Sequence, residues 1–227
     1  MKVALLAALV LGTLVAVPTA SATNECRGLN PCVPIAGPWV VVPAGKSLPP
    51  QKVQYQLTCP RGFIVAGLDA ELTDPAIDVS FIGASGAPVG PGITTSRTVV
   101  FVAGYVGTSP KAPTFKPHAG CVPAAGGGPR TPTAVRKIVP PGEPTIRRVV
   151  TSRVITSVPI VARCRADERL IDWYFARGFA TIAPPPPSLV ASLTAKARVT
   201  GNRVTVLGQA RRGQGMIQVG AVCAGGK

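Results

Sequence analysis

Two stretches of the chain, CPRGFIVAGLD from Cys59 and CRADERLIDWY from Cys164, read as one element written twice. Setting Cys59 over Cys164 places Cys121 over Cys223, with intervals that differ by only three residues. The segments between them match in order. VQYQLTC (Val53 to Cys59) answers VPIVARC (Val158 to Cys164), TVVFVAGY answers RVTVLGQA, and TFKPHAGCVPA answers MIQVGAVCAGG. Upstream, VPAG from Val42 pairs with VPPG from Val139, while Phe63, Val65 and Leu68 meet Leu170, Trp173 and Phe175 once a small shift is allowed. A period of about 100 residues signals two copies of one domain, since the units of a solenoid are far shorter.

The join between the copies, PAAGGGPRTP from Pro123 to Pro132, has no apolar periodicity and no bulky side chain, as suits a linker. The chain opens on MKVALLAALVLGTLVAVPTASA, where Lys2 precedes an apolar run and Ala20-Ser21-Ala22 supplies the small residues of a cleavage site. The expected layout is a signal peptide over 1–22, a first unit over 23–123, a linker over 124–132 and a basic second unit over 133–227. An uncleaved signal anchor is the rival reading, but the apolar run is short for a span.

Export to an oxidising compartment lets the six cysteines pair. The repeat assigns Cys59 to Cys121 and Cys164 to Cys223, and leaves Cys26 with Cys32 as a tight clip around RGLNP. That last spacing is not the redox Cys-x-x-Cys, so a structural clip is expected over redox or intermolecular chemistry.

The 25 prolines and 25 glycines, with Val, Thr and Ile in short runs between them, favour short strands and turns over long helices. Period-two alternation marks several of these runs. Val53, Tyr55 and Leu57 share one face, as do Ile77, Val79 and Phe81, then Leu189, Ala191, Leu193 and Ala195, and finally Ile217, Val219, Ala221 and Cys223. The fold class expected is all-β: two tandem antiparallel, immunoglobulin-like β-sandwiches, each with one internal disulfide.

Cys59, Pro60, Gly62, Val65, Gly67 and Cys121, with the entrance CVPIAGPWVVVPAG, resemble secreted β-sandwich modules of high-GC Gram-positive bacteria. Those modules open a strand on Cys-Pro-x-Gly, continue to Val-x-Gly and close on an apolar-Cys strand. The second copy keeps Cys164 and Cys223 but has Arg165 and Asp167 where the motif has Pro and Gly. The resemblance implies export, a sandwich fold and disulfides; it implies no activity.

Chemistry-bearing residues are sparse. His118 is the one histidine, in FKPHAGC, and with every cysteine paired it has no metal co-ligands; a structural role is expected, with a hydrolytic triad as the alternative. Asp69, Glu71, Asp74 and Asp78 form the one carboxylate cluster, readable as solvated hairpin side chains or as a calcium site. In DWYFARGF, a strand would turn Ile171, Trp173 and Phe175 to a core and Asp172, Tyr174 and Arg177 outward, where an aromatic beside Arg can stack on a sugar or base. Pro184 to Pro187 suggest a stiff loop or a short polyproline segment. No cofactor or metal is expected.

Charge is the strongest functional signal. The chain carries +15, or +14 without Lys2; Thr23 to Pro129 hold seven basic residues against five acidic, and Arg130 onward sixteen against four. Thirteen of those sixteen are arginine, whose planar fork grips phosphate and carboxylate in two-point fashion. Arg147, Arg148, Arg153, Arg163, Arg165, Arg169, Arg198, Arg203, Arg211 and Arg212 are the candidate polyanion-binding residues. The partners expected are anionic cell-envelope polymers or an anionic membrane surface, with nucleic acid less favoured because no nucleic-acid module is present. The oligomeric state stays open. The functional expectation is an exported, non-catalytic structural or binding protein, secreted or envelope-associated. An extracellular hydrolase and a secreted protein-binding inhibitor or effector are the alternatives, and a merely solubilising charge is the plainest one.

Overall fold

The computed structural model describes residues 23–45, 51–83, 96–124, 145–154, 158–210 and 215–225. The expected leader 1–22, the expected linker beyond Ala124, Val139 to Gly142, and Arg211 with Arg212 lie outside the described residues. Strands dominate: β1 (Val33–Ala36), β2 (Trp39–Val41), β3 (Lys52–Thr58), β4 (Phe63–Leu72), β5 (Ile77–Gly83), β6 (Thr98–Tyr105), β7 (Thr114–Pro123), β8 (Thr145–Arg153), β9 (Ile160–Arg163), β10 (Glu168–Phe179), β11 (Thr194–Thr200), β12 (Arg203–Gln209) and β13 (Gly215–Gly225). One short helix, α1 (Pro187–Ser192), interrupts them.

Alternation places the side chains much as the pattern predicts. Val53, Tyr55 and Leu57 are buried on one face of β3, and Ile217, Val219, Ala221 and Cys223 on one face of β13. The run from Leu189 to Ala195 departs from the strand expectation: α1 occupies its first part and β11 starts only at Thr194. Pro186 is extended and Pro187 opens the helix, where its fixed φ and missing N–H are tolerated. One helical turn then carries Val190 and Leu193 into the core.

The repeat is legible strand by strand. In the first half β7 lies between β4 and the interrupted strand β1/β2, while β6 lies between β3 and β5. In the second half β13 lies between β10 and β8, and β12 between β9 and β11, every pair antiparallel in both. Even the β-bulges coincide, between Val65 and Gly67 opposite β7 and between Leu170 and Asp172 opposite β13. Because Val65 pairs with Cys121 and Leu170 with Cys223, Phe63 corresponds to Glu168, Val65 to Leu170 and Leu68 to Trp173, with no shift. The VPAG and VPPG match is not between equivalent positions, since the first follows β2 and the second precedes β8, the counterpart of β1 and β2.

The disulfides join Cys59 to Cys121, Cys164 to Cys223 and Cys26 to Cys32. Each of the first two ties the residue after a small-sheet strand, β3 or β9, to the central strand of the large sheet, β7 or β13.

Tandem domains would be expected to keep separate sheets, but here one seven-stranded sheet runs through both halves. The link is β2 against β10, with Trp39 opposite Phe179 and Val40 opposite Gly178. Gly178 permits the approach: a Cβ there would sit 3.0 Å from the Trp39 carbonyl oxygen and 3.2 Å from the Pro38 ring. The order across the sheet is therefore β4, β7, β1/β2, β10, β13, β8.

The two cores lie on opposite faces of this sheet. Val40 and Val42 point into the first core and Val41 into the second; on β10, Ala176 belongs to the first and Phe179 to the second. With β2 and β10 antiparallel, the second half repeats the first after a half turn about an axis running across the strands.

Candidate functional site

The outer face of the β9-β12-β11 sheet carries the most concentrated unpaired charge among the described residues. Val204 and Val206 turn inward, so alternation sends Arg203, Thr205 and Leu207 outward on β12. On β11, Lys196, Arg198 and Thr200 point out, and on β9, Val161 and Arg163. The register sets Thr200 beside Arg203 and Arg203 beside Arg163, with Arg198 two residue pairs along on the same face, opposite Thr205. Lys196, Arg198, Arg203 and Arg163 are exposed and enter none of the ion pairs found among the described residues. Like charges directly opposite on neighbouring strands destabilise a sheet. Arg203 and Arg163 carry that cost, which an anion laid between them would relieve.

The candidate arginines divide by environment. Arg165, in the turn after Cys164, and Arg169, on β10, are exposed at one end of this sheet, and Arg153 is exposed at the end of β8. Arg147 and Arg148 serve the protein itself. Arg147 Nη1 donates to Gln54 Oε1 at 2.7 Å, with its guanidinium 5.4 Å from the Tyr174 ring, in the junction between the halves. Arg148 grips Glu168 with Nε, 2.8 Å from Oε2, and with Nη2. Lys196 escaped the sequence reading, which followed arginines alone; its place two residues before Arg198 on a strand was the available signal.

Glu168 stands where the first half has Phe63, and is buried. The side-chain bond from Arg148, followed by the Arg165 backbone N–H, holds its carboxyl at about 2, down from 4.5. A depressed carboxyl pKa gives stability that is complete above the unfolded value and is lost as pH falls toward the folded one. Acid titration is therefore expected to show stability declining between pH 4.5 and about 2. Glu168→Gln should flatten that limb in denaturation curves collected across pH; an unaltered limb would assign it to other carboxylates.

The aromatic run is arranged differently from the expectation. Trp173 is 39% and Ile171 48% exposed, whereas Tyr174, expected outward, is buried at 6%. The first half covers it: β3 crosses the outer face of the β10-β13-β8 layer. There Gln218, 3% exposed, accepts from Gln56 N at 2.6 Å and donates to Gln56 O and to Thr151 Oγ1, each at 3.0 Å. Burial pushes Tyr55 up to about 12, and Tyr174 upward too, so both remain neutral phenols in this junction. Trp173 stacks on Phe175 at 6.4 Å.

The carboxylates of the first half disperse into structural tasks. Asp69 accepts from Asn24 N at 2.7 Å, Asp74 from Tyr105 Oη at 3.0 Å and from Ala76 N in its turn, and Asp78 sits exposed on β5. His118 is buried, with Nε2 2.7 Å from Glu71 Oε1 and Nδ1 3.8 Å from Glu25 Oε1. The Cys26–Cys32 clip lies over this group. A separate cleft of about 500 Å³ between the halves, lined by Val41, Pro43, Lys52, Val53, Phe175 and Arg177, contains neither His118 nor any carboxylate. Among the described residues no helix is long and apolar enough to cross a membrane.

No protein-family model matches the chain, and neither a curated protein nor a solved structure matches it.

Proposed function

We propose that this chain is an exported, non-catalytic binding protein built from two immunoglobulin-like sandwich units, and that the outer face of β9, β11 and β12 docks on an anionic polymer of the cell envelope. The observation that carries this reading is the unpaired set Arg163, Lys196, Arg198 and Arg203 on one open sheet face. Threonine and valine neighbours leave the three guanidinium forks accessible, and arginine suits two-point contact with phosphate or carboxylate. No aromatic side chain stands among the outward residues of these strands, which favours a polymer without bases over single-stranded nucleic acid. The likeness of the first half to secreted disulfide modules, and the leader sequence, support export.

Because the two halves share a sheet, the test uses the whole chain. Retention on immobilised polyphosphate and polyglutamate is measured across a salt series for the native protein, Arg198→Glu/Arg203→Glu, and Arg61→Glu, an exposed first-half control. The double reversal is expected to lower the salt slope by about two on polyphosphate, one for each phosphate left without its arginine. Equal weakening in the control, or native retention by the double variant, would refute the assignment to this face.

A further inference from the structure

The cleft between the halves has its cause in the topology. Val40 is the last residue of β2 in register with β10, opposite Gly178. Beyond it the Val42 N–H donates to Pro113 O, which keeps this segment with its own half, and Pro43 has no N–H to offer β10. Followed back from Gly178, β10 continues instead along β13. A wedge opens between the two, with Val41 and Pro43 on one side and Phe175 and Arg177 on the other. Gln51, Lys52 and Val53 of the first half and Ala195 of the second complete its walls.

Lys52 is exposed and Arg177 part-buried, and neither enters an ion pair found among the described residues. Arg177 commits Nη1 to Leu193 O at 2.7 Å. Burial lowers its pKa from the ordinary value, the mark of a guanidinium drawn partly out of water with no anion to offset the loss. No carboxylate lines the cleft. On the same face of β10, alternation sets Trp173 next to Phe175. Their rings lie 6.4 Å apart and nearly parallel, at 6°, with Trp173 39% exposed. Together they make a flat apolar wall that leads from water toward Arg177.

We propose that this cleft binds an acidic sugar, its ring laid on Trp173 and Phe175 and its carboxylate held by Arg177 and Lys52. The unpaired cations select an acid, and the arginine fork suits a carboxylate in particular. The flat wall suits a ring rather than a flexible chain. The far side of that ring stays in water beside the exposed Gln51 and Lys52, so it has to carry hydroxyls; an aryl acid would leave a whole apolar face wet. A volume of about 500 Å³ is ordinary for a small-molecule site, as is a place at the junction of two units. The cleft is separate from the basic outer sheet face, because β11 turns Ala195 to one side and Lys196 and Arg198 to the other.

The test is isothermal titration calorimetry of the whole chain with galacturonate, trigalacturonate, galactose and benzoate. Both sugar acids are expected to bind, with galactose, which lacks the charge, and benzoate, which lacks the hydroxyls, weaker by about tenfold or more. Tighter binding of the trimer would assign the site to a unit within a chain, and equal binding to a free sugar acid. Arg177→Gln, which keeps a donor for Leu193 O, is expected to weaken galacturonate binding about tenfold. Trp173→Ala should weaken it about fivefold and Lys52→Gln, at an exposed position, about threefold. Arg198→Glu/Arg203→Glu should leave it unchanged, which separates this site from the outer sheet face. Galactose or benzoate binding as tightly as galacturonate would overturn the proposal, as would native affinity in both Trp173→Ala and Lys52→Gln. So would a loss confined to Arg198→Glu/Arg203→Glu, or a native chain that binds neither sugar acid.

Discussion

Removing either long bridge, as Cys59→Ala/Cys121→Ala or Cys164→Ala/Cys223→Ala, is expected to cost about 4 kcal/mol of unfolding free energy, as read from denaturant titration. The two span 62 and 59 residues, so in the chain-entropy picture their effects should be close to equal. The clip, spanning six, should cost about 2 kcal/mol less. Losses of this size approach the net stability of a whole domain. Both sulfurs of each long bridge sit in the core between a small sheet and the shared sheet, so their loss also opens packing around β7 or β13. A loss below about 1 kcal/mol would mean that the reduced, unfolded chain is already as restricted as the bridged one.

The second large effect is expected at Gln218. Truncation to alanine strands both the N–H and the carbonyl of Gln56 against a buried surface, and each unmet group costs about 1 to 3 kcal/mol. Gln218→Leu should fare no better, because filling the volume restores neither bond. The position lies between the halves, so the loss should fall on their coupling: calorimetry is expected to show one transition for the native chain and two for the variant. A single transition displaced to lower temperature would show instead that the shared sheet alone suffices to hold the halves together.

How much of this was legible beforehand differs from element to element. The repeat predicted the two long bridges because a cysteine after an early strand and another on the last strand recur at nearly the same interval. Period two predicted the buried faces of β3 and β13, where one side meets a core and the other does not. Residues 189–195 misled because alternation over so few positions is also compatible with a helical turn, and the prolines before them were the stronger signal. Tyr174 and Arg147 misled for a different reason. Their surroundings are supplied by β3, more than ninety residues away in sequence, and no local pattern encodes which edge of one copy meets the other. One clue was available: Trp39 to Val42 is an unbroken apolar run, the mark of a strand covered on both faces.

The placement of the bridges also decides how the molecule would carry load. Tension applied between Thr23 and Gly225 passes through the sulfurs and bypasses the residues inside the loops 26–32, 59–121 and 164–223. Between Cys26 and Cys223 only 33–58 and 122–163 can extend as slack. Those segments include β1/β2, β3, β8 and β9, so the first ladders to yield would be those of β8 and of the seam at β2. The central strands β7 and β13 would stay clamped. A chain tethered at a cell surface would thus lengthen by a bounded, reversible step, with its basic sheet still anchored by Cys164.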